Sequence, residues 1–310
     1  MAYDNKIEVS ESPHDKVLFD EGSLGNIISV SQSSSLLLLT RGNNIGIYSQ
    51  GFGQKISLSR LIQDVRALDH KSPIFPTHAM LFDQDSSYLM FDVNAKNNTV
   101  YKMDLKRGQV VEEWKASTED PCKFRDTYIL LTTYPVSCIV IGICPSSSSG
   151  NYNNLNTIVG ITSNSIFRID PRQKGINKIS DCDYKKYSSK PEFSAVASSQ
   201  SKYVAVGSQK GVIRLFDELN TVATITLPPI GDPIIGLDVT PDGQYVVATC
   251  SNSLVFFRTS GSLQAVMLRI LPEHITLMNE KVSFKRAYFD TKDENNIICV
   301  SGYCSLFITY

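Results

Sequence analysis

Short runs of β-branched and aromatic residues alternate with Gly, Asn, Asp and Ser along the chain, and segments with helical periodicity are almost absent. The clearest unit covers residues 193–227. Phe193-Ser-Ala-Val-Ala-Ser198 and Tyr203-Val-Ala-Val-Gly-Ser208 read as two strands. Gln209-Lys210-Gly211 is a tight turn into a third strand, Val212-Ile-Arg-Leu-Phe-Asp217, and Gly211 supplies the positive φ that such turns require. Asp217 and Asn220 mark the next turn, and Val222-Ala-Thr-Ile-Thr-Leu227 is a fourth strand. Four antiparallel strands in chain order form a meander, the unit of a propeller blade.

The same grammar recurs upstream and downstream. Units fall at Ile28 to Tyr48, Tyr88 to Trp114, Thr157 to Asp170, Ile234 to Phe257 and Val282 to Tyr310. Met103-Asp104, Ile169-Asp170 and Phe216-Asp217 end third strands where WD repeats place an aromatic–Asp pair, while Phe257-Arg258 and Thr309-Tyr310 hold the place without the Asp. The pattern predicts an all-β fold: a β-propeller of four-stranded antiparallel blades, six by this count, or seven if an irregular blade lies between Cys122 and Leu155. The chain ends on a third strand, so an N-terminal strand is expected to complete the last blade, and Lys16-Val-Leu-Phe-Asp20 is the apolar candidate. Residues 14–310 then form one domain. Residues 1–13 read as a flexible polar tail, and the Ser- and Asn-rich stretch 146–156 as a disordered loop. Leu58, Leu61, Ile62 and Val65 have helical spacing, but a strand near 54–58 is equally consistent with the sequence.

Composition narrows the chemistry. A formal net charge of −1 gives no broad basic footprint for nucleic acid. Seven cysteines without C-x-x-C spacing and four histidines make no zinc pattern, so the cysteines read as reduced thiols and no metal or cofactor is expected. No apolar run is long enough to insert in a membrane, and no signal region opens the chain, which gives a cytoplasmic expectation by default. Phosphate-loop, nucleophile-elbow, zincin and dinucleotide motifs do not occur. The glycine-bearing Arg41 to Gly46 lies between two strands and reads as a hairpin. His78 has no nucleophile or carboxylate beside it in sequence. Asp83 and Asp85 read as a turn rather than a cation site, and Trp114 reads as packing.

Candidate recognition residues are cationic or at hairpin tips. Arg168, Arg214 and Arg258 lie on or after successive third strands, where equivalent positions would gather on the axis or one rim as an anion or acidic-peptide pocket. The competing expectation pairs each with a nearby Asp, such as Asp170 or Asp217. Hairpins at Gly42-Asn43-Asn44, Ser163-Asn164 and Gln209-Lys210, with the Gly231-Asp232-Pro233 connection, are expected to share a face with these arginines, Arg41 and Arg172. The partners would be proteins or peptides, docking on a monomeric propeller.

Arg41-Gly-Asn-Asn-Ile-Gly-Ile-Tyr48, Met80-Leu-Phe-Asp-Gln-Asp85, Tyr101 to Trp114, Phe167-Arg-Ile-Asp-Pro-Arg172, Gly211-Val-Ile-Arg-Leu-Phe-Asp217 and Gly231-Asp-Pro-Ile-Ile-Gly236 occur in order. Together they resemble the C-terminal, WD-repeat-like propeller of the vacuolar import and degradation protein twenty-seven family. The resemblance implies a cytoplasmic scaffold without catalytic residues, connected with delivery of cytosolic proteins for vacuolar degradation. The N-terminal region of pleckstrin-homology-like character usual in that family does not appear in these residues. Tyr134 to Asn156 looks like an insertion, and Tyr310 stands where Trp is usual. The alternative is a ligand-binding or hydrolytic propeller with an axial pocket, recognisable by converging Asp, Arg or His side chains of perturbed pKa.

Overall fold

A computed structural model describes residues 7–10, 29–32, 36–49, 57–82, 86–91, 99–115, 142–145, 157–174, 179–199, 203–219, 221–260, 265–268, 283–289, 296–301 and 304–309. Its strands form six four-stranded sheets. A short closing strand, β1 (Ile7–Ser10), comes first in the chain. Blade one is β2 (Ser29–Gln32), β3 (Leu36–Arg41), β4 (Asn44–Ser49) and β5 (Ser57–Ile62). Blade two is β6 (His78–Phe82), β7 (Ser87–Phe91), β8 (Thr99–Asp104) and β9 (Gln109–Lys115). Blade three is β10 (Gly142–Pro145), β11 (Ile158–Ile161), β12 (Ser165–Ile169) and β13 (Ile179–Lys186). Blade four is β14 (Phe193–Ser198), β15 (Val204–Ser208), β16 (Ile213–Phe216) and β17 (Ile225–Thr226). Blade five is β18 (Gly236–Val239), β19 (Tyr245–Thr249), β20 (Leu254–Arg258) and β21 (Ala265–Leu268). Blade six is β22 (Tyr288–Phe289), β23 (Asn296–Ser301) and β24 (Cys304–Thr309), with β1 outermost.

The expected meander therefore repeats round the molecule. First strands of successive blades touch one another from β2 through β6, β10, β14 and β18 to β22, so they line the axis. Each blade interface has its own apolar seam, because strands of a buried sheet are apolar on both faces. Leu38, Ile45, Tyr88 and Met90 join blades one and two, and Leu89, Trp114, Phe167 and Ile169 join two and three. Ile166, Phe193, Val206 and Phe216 join three and four, while Leu215, Ile234, Leu237 and Phe257 join four and five. Val247, Leu254, Phe284 and Ile297 join five and six. Tyr288 of blade six packs on Leu37, Leu39 and Tyr48 of blade one, which closes the ring.

The closing strand corrects two expectations. β1 pairs antiparallel with β24, Ile7 opposite Ile308 and Ser10 opposite Ser305. The N-terminus does complete the last blade, but with residues assigned to the tail. Lys16–Asp20 lies outside the described residues. The reason is local: Ile7-Glu8-Val9-Ser10 carries the strict apolar–polar alternation of an outer strand, in only four residues, whereas Lys16–Asp20 holds a longer apolar run.

Two further points resolve. Gly142–Pro145 becomes the first strand of blade three, within the interval set aside for an irregular seventh blade. Residues 146–156 lie outside the described residues. Ser57–Ile62 is a strand and not a helix: β5 pairs with β4, Arg60 opposite Ile47 and Leu58 opposite Tyr48, so Ser59 is an extra residue, and this bulge gives Leu58 and Leu61 their helix-like spacing. No helix among the described residues is long and apolar enough to cross a membrane.

Candidate functional site

Among the described residues, one face of the ring is built from two kinds of loop that lock together. Hairpins between second and third strands meet the connections that carry the chain to the next blade. Val65 N–H donates to Asn43 O at 2.8 Å, Tyr187 N–H to Asn164 O at 2.7 Å, and Gln209 N–H to Glu192 O at 2.8 Å. Ile230 N–H reaches Gly211 O, and Phe284 N–H reaches Ser251 O, each at 2.9 Å. These bonds satisfy loop backbone that would otherwise need water, and they fix the loop tips as a rigid surface.

Side chains reinforce the lock. Asn43 Nδ2 donates to Asp64 Oδ1, and Asn44 Oδ1 accepts Asp64 N–H, both at 3.0 Å. Lys210 Nζ reaches Glu192 Oε1 at 3.2 Å across the next junction but one. Gly211 sits at φ 73°, and a Cβ there would lie 2.8 Å from Gly231 N and 2.9 Å from Asp232 O. The Gly231-Asp232-Pro233 connection thus rests directly on the Gln209–Gly211 hairpin.

Strain collects on the same face. Among the described residues the non-glycine positive-φ positions are Asp64, His70, Lys190 and Glu192, all in the connections after blades one and three. Each costs on the order of 1 kcal/mol and persists only where surroundings impose it. Around His70 the imposing group is Asp69, whose carboxylate accepts the Lys71 and Ser72 N–H groups and the Ser72 hydroxyl. Those bonds hold its pKa down at about 2. Leu68, Phe75 and Ile235 are exposed on this face.

The predicted residues divide. Arg41, Asn43, Asn44, Gln209, Lys210, Arg214 and Asp232 lie at or next to the interlocked loops. Arg168, Arg172 and Arg258 do not. Arg258 ends β20 opposite Tyr245, beside the Gln244–Thr259 contact on the far face. Arg172 forks onto Asp170 at 2.9 and 2.8 Å in the turn after β12. The expectation that Arg168, Arg214 and Arg258 occupy equivalent positions is therefore corrected. They are the fourth, second and fifth residues of β12, β16 and β20, so they stand at different heights, and third strands do not border the axis.

The expected aromatic–Asp pairs act locally. Asp104 Oδ1 accepts the Lys106 and Arg107 N–H groups, and Asp217 Oδ2 accepts the Thr224 hydroxyl, so these carboxylates organise turns on the far face. Trp114 is buried and donates from Nε1 to Glu112 at 2.8 Å, which fits packing. Asp83 and Asp85 lie outside the described residues.

A second constellation lies on the axial strands, and sequence reasoning missed two of its three members. Asp238 is on β18, His78 opens β6, and Arg286 precedes β22. Asp238 Oδ2 accepts Phe289 N–H at 2.9 Å. Burial raises its pKa to about 6, opposed by the Arg286 charge and by that N–H. His78 stacks on Phe91, ring centroids 5.2 Å apart and nearly parallel. Burial, with the Arg286 charge second, lowers its pKa to about 4. The available signal was an acid inside the apolar run Gly236-Leu-Asp-Val239 and a cation just ahead of a first strand, both on strands that border the hub. Among the described residues no cluster of His, Cys, Asp and Glu could hold a metal ion.

Comparison with known proteins gives concordant matches. The domain family described as VID27 C-terminal WD40-like domain matches residues 25–262. A Schizosaccharomyces pombe protein named Vacuolar import and degradation protein 27 is 30% identical over 289 residues, covering 86% of this chain and 34% of that protein. The Saccharomyces cerevisiae protein of the same name is 28% identical over 291 residues, covering 85% of this chain and 34% of its own length. The chain thus spans about a third of the length of these relatives.

Proposed function

Because the chain belongs to the VID27 family through its C-terminal WD40-like domain, we propose that it is a non-catalytic scaffold that binds proteins or peptides on its interlocked face. The names of its relatives connect the proposed role with vacuolar import and degradation, and the proposed place of action is the cytoplasm. The observation that carries the reading is the lock itself. Hairpin tips and inter-blade connections are tied by backbone hydrogen bonds, and the described non-glycine residues at positive φ lie in those connections. A rigid surface loses little entropy on docking. Leu68 and Phe75 are exposed in the connection after blade one, and Ile235 is exposed near Asp232 in the connection after blade four, so the face carries apolar anchors together with polar groups.

Affinity capture from the source cells tests this. A face variant combining Phe75→Ser, Lys210→Glu and Asp232→Lys is expected to lose saturable partners by at least tenfold. A far-face variant, Arg107→Glu with Arg258→Glu, is expected to keep them. Undiminished recovery by the face variant, or loss only from the far-face variant, would overturn the reading.

A further inference from the structure

Arg286 is an arginine held rigidly with no direct ion pair on its fork among the described residues. Nε donates to Leu237 O at 2.9 Å, and the guanidinium carbon stands 4.9 Å from the centre of the Tyr288 ring. The stem lies against the backbone of β18, where a Cβ on residue 236 would come within 3.0 Å of Arg286 Cα, Cβ and Cγ; Gly236 leaves that space. These contacts spend the rotamer entropy of a long side chain before any ligand arrives.

Among the described residues, Nε is the guanidinium nitrogen with a hydrogen-bond partner, while Nη1 and Nη2 have none. A structural ion pair would place Asp238 on that fork. Instead Asp238 accepts a backbone N–H from Phe289, and no ion pair joins it to Arg286 among the described residues. His78, on the axial strand of blade two, uses Nδ1 toward the Thr77 hydroxyl at 3.4 Å, and among the described residues Nε2 has no hydrogen-bond partner. A partly buried guanidinium whose two terminal nitrogens carry no hydrogen bond leaves donors unmet, which is costly to keep for packing alone.

We propose that Arg286, with Asp238 on the adjoining strand β18 and His78 on the axial strand of blade two, forms an axial site for a small oxyanion of carboxylate or phosphate type. The planar fork takes two oxygens of the anion through Nη1 and Nη2. His78 Nε2 supplies a third polar contact, and Asp238 contributes one when it carries its proton. The site stands at the hub and not on the loop tips, so it is independent of the scaffold reading.

The test uses the intact chain with sodium succinate and inorganic phosphate as separate probes, against sodium chloride at matched ionic strength. Saturable stabilisation by succinate assigns a carboxylate ligand, and by phosphate alone a phosphoryl ligand. Arg286→Met is expected to weaken binding of the effective probe by at least tenfold, and Arg286→Lys, which keeps charge without the fork, by about tenfold. Arg258→Met on the far face is expected to behave as the parent chain does. If Arg286→Met does not fold, the parent chain decides: the effective probe must shift the His78 imidazole resonances and leave His70 unmoved. Absence of saturable binding to either probe, equal binding by Arg286→Lys, or unmoved His78 resonances would overturn the proposal.

Discussion

Deletion of residues 1–10 is expected to lower stability by several kcal/mol and to make the protein associate. The deletion removes β1, which pairs with β24 over four residues from Ile7 opposite Ile308 to Ser10 opposite Ser305. Each ladder hydrogen bond contributes on the order of 1 kcal/mol, and β24 would become an open edge. An open edge pairs with other chains, so the loss is compounded at high concentration. Urea midpoints with size-exclusion chromatography read both effects. An unchanged midpoint and an unchanged elution volume would show that β1 does not close the ring.

Asp238→Asn is expected to make stability fall as pH drops from 6.5 to 4, relative to the parent chain, and His78→Gln to do the reverse. The signs follow from linkage. The folded pKa of Asp238 is raised to about 6 from 3.8, so the native state takes up that proton first on acidification. Its contribution is fully present below 3.8 and is lost as pH rises to 6. The folded pKa of His78 is lowered to about 4 from 6.5, so the unfolded state takes up that proton first, and stability is lost as pH falls through this window. Each effect is at most about 3 kcal/mol, and together they nearly cancel in the parent chain. Removing either partner exposes the other. Denaturation midpoints of the parent and both variants between pH 7 and 4 give the comparison, in which other carboxylates, such as Asp170 under Arg172, cancel. Variant and parent curves that stay parallel would contradict the assignment.

The ring was legible because its signal is repetitive. Alternation and turn glycines repeat from blade to blade, so an error in one strand does not shift the others, and the resemblance rested on motifs spread over most of the chain. The closing strand was misplaced because an outer strand four residues long carries little apolar weight, and its partner lies some 300 residues away. The shared face was legible for a different reason: hairpins with tips such as Asn43-Asn44 and Gln209-Lys210 announce themselves through turn chemistry. Height along a strand is not written in such signals. Arg168, Arg214 and Arg258 follow similar sequence landmarks yet enter their strands at different registers.

The hub was harder still. His78, Asp238 and Arg286 come from blades two, five and six, and nothing in local sequence joins them. Only closure brings their first strands round one axis, where burial and the Arg286 charge then act on the other two groups. This also explains how a chain without a recognised motif can hold a concentrated polar centre.

The titration of His78, followed by its imidazole resonances in the parent chain and in Arg286→Met, tests this closure most directly. With four histidines in the sequence the signals can be assigned by single substitutions. In the closed ring burial holds the His78 pKa down at about 4, with the Arg286 charge second, so the value rises when Arg286 is removed. A His78 that titrates near 6.5 and is indifferent to residue 286 would mean that blades two and six do not share a hub.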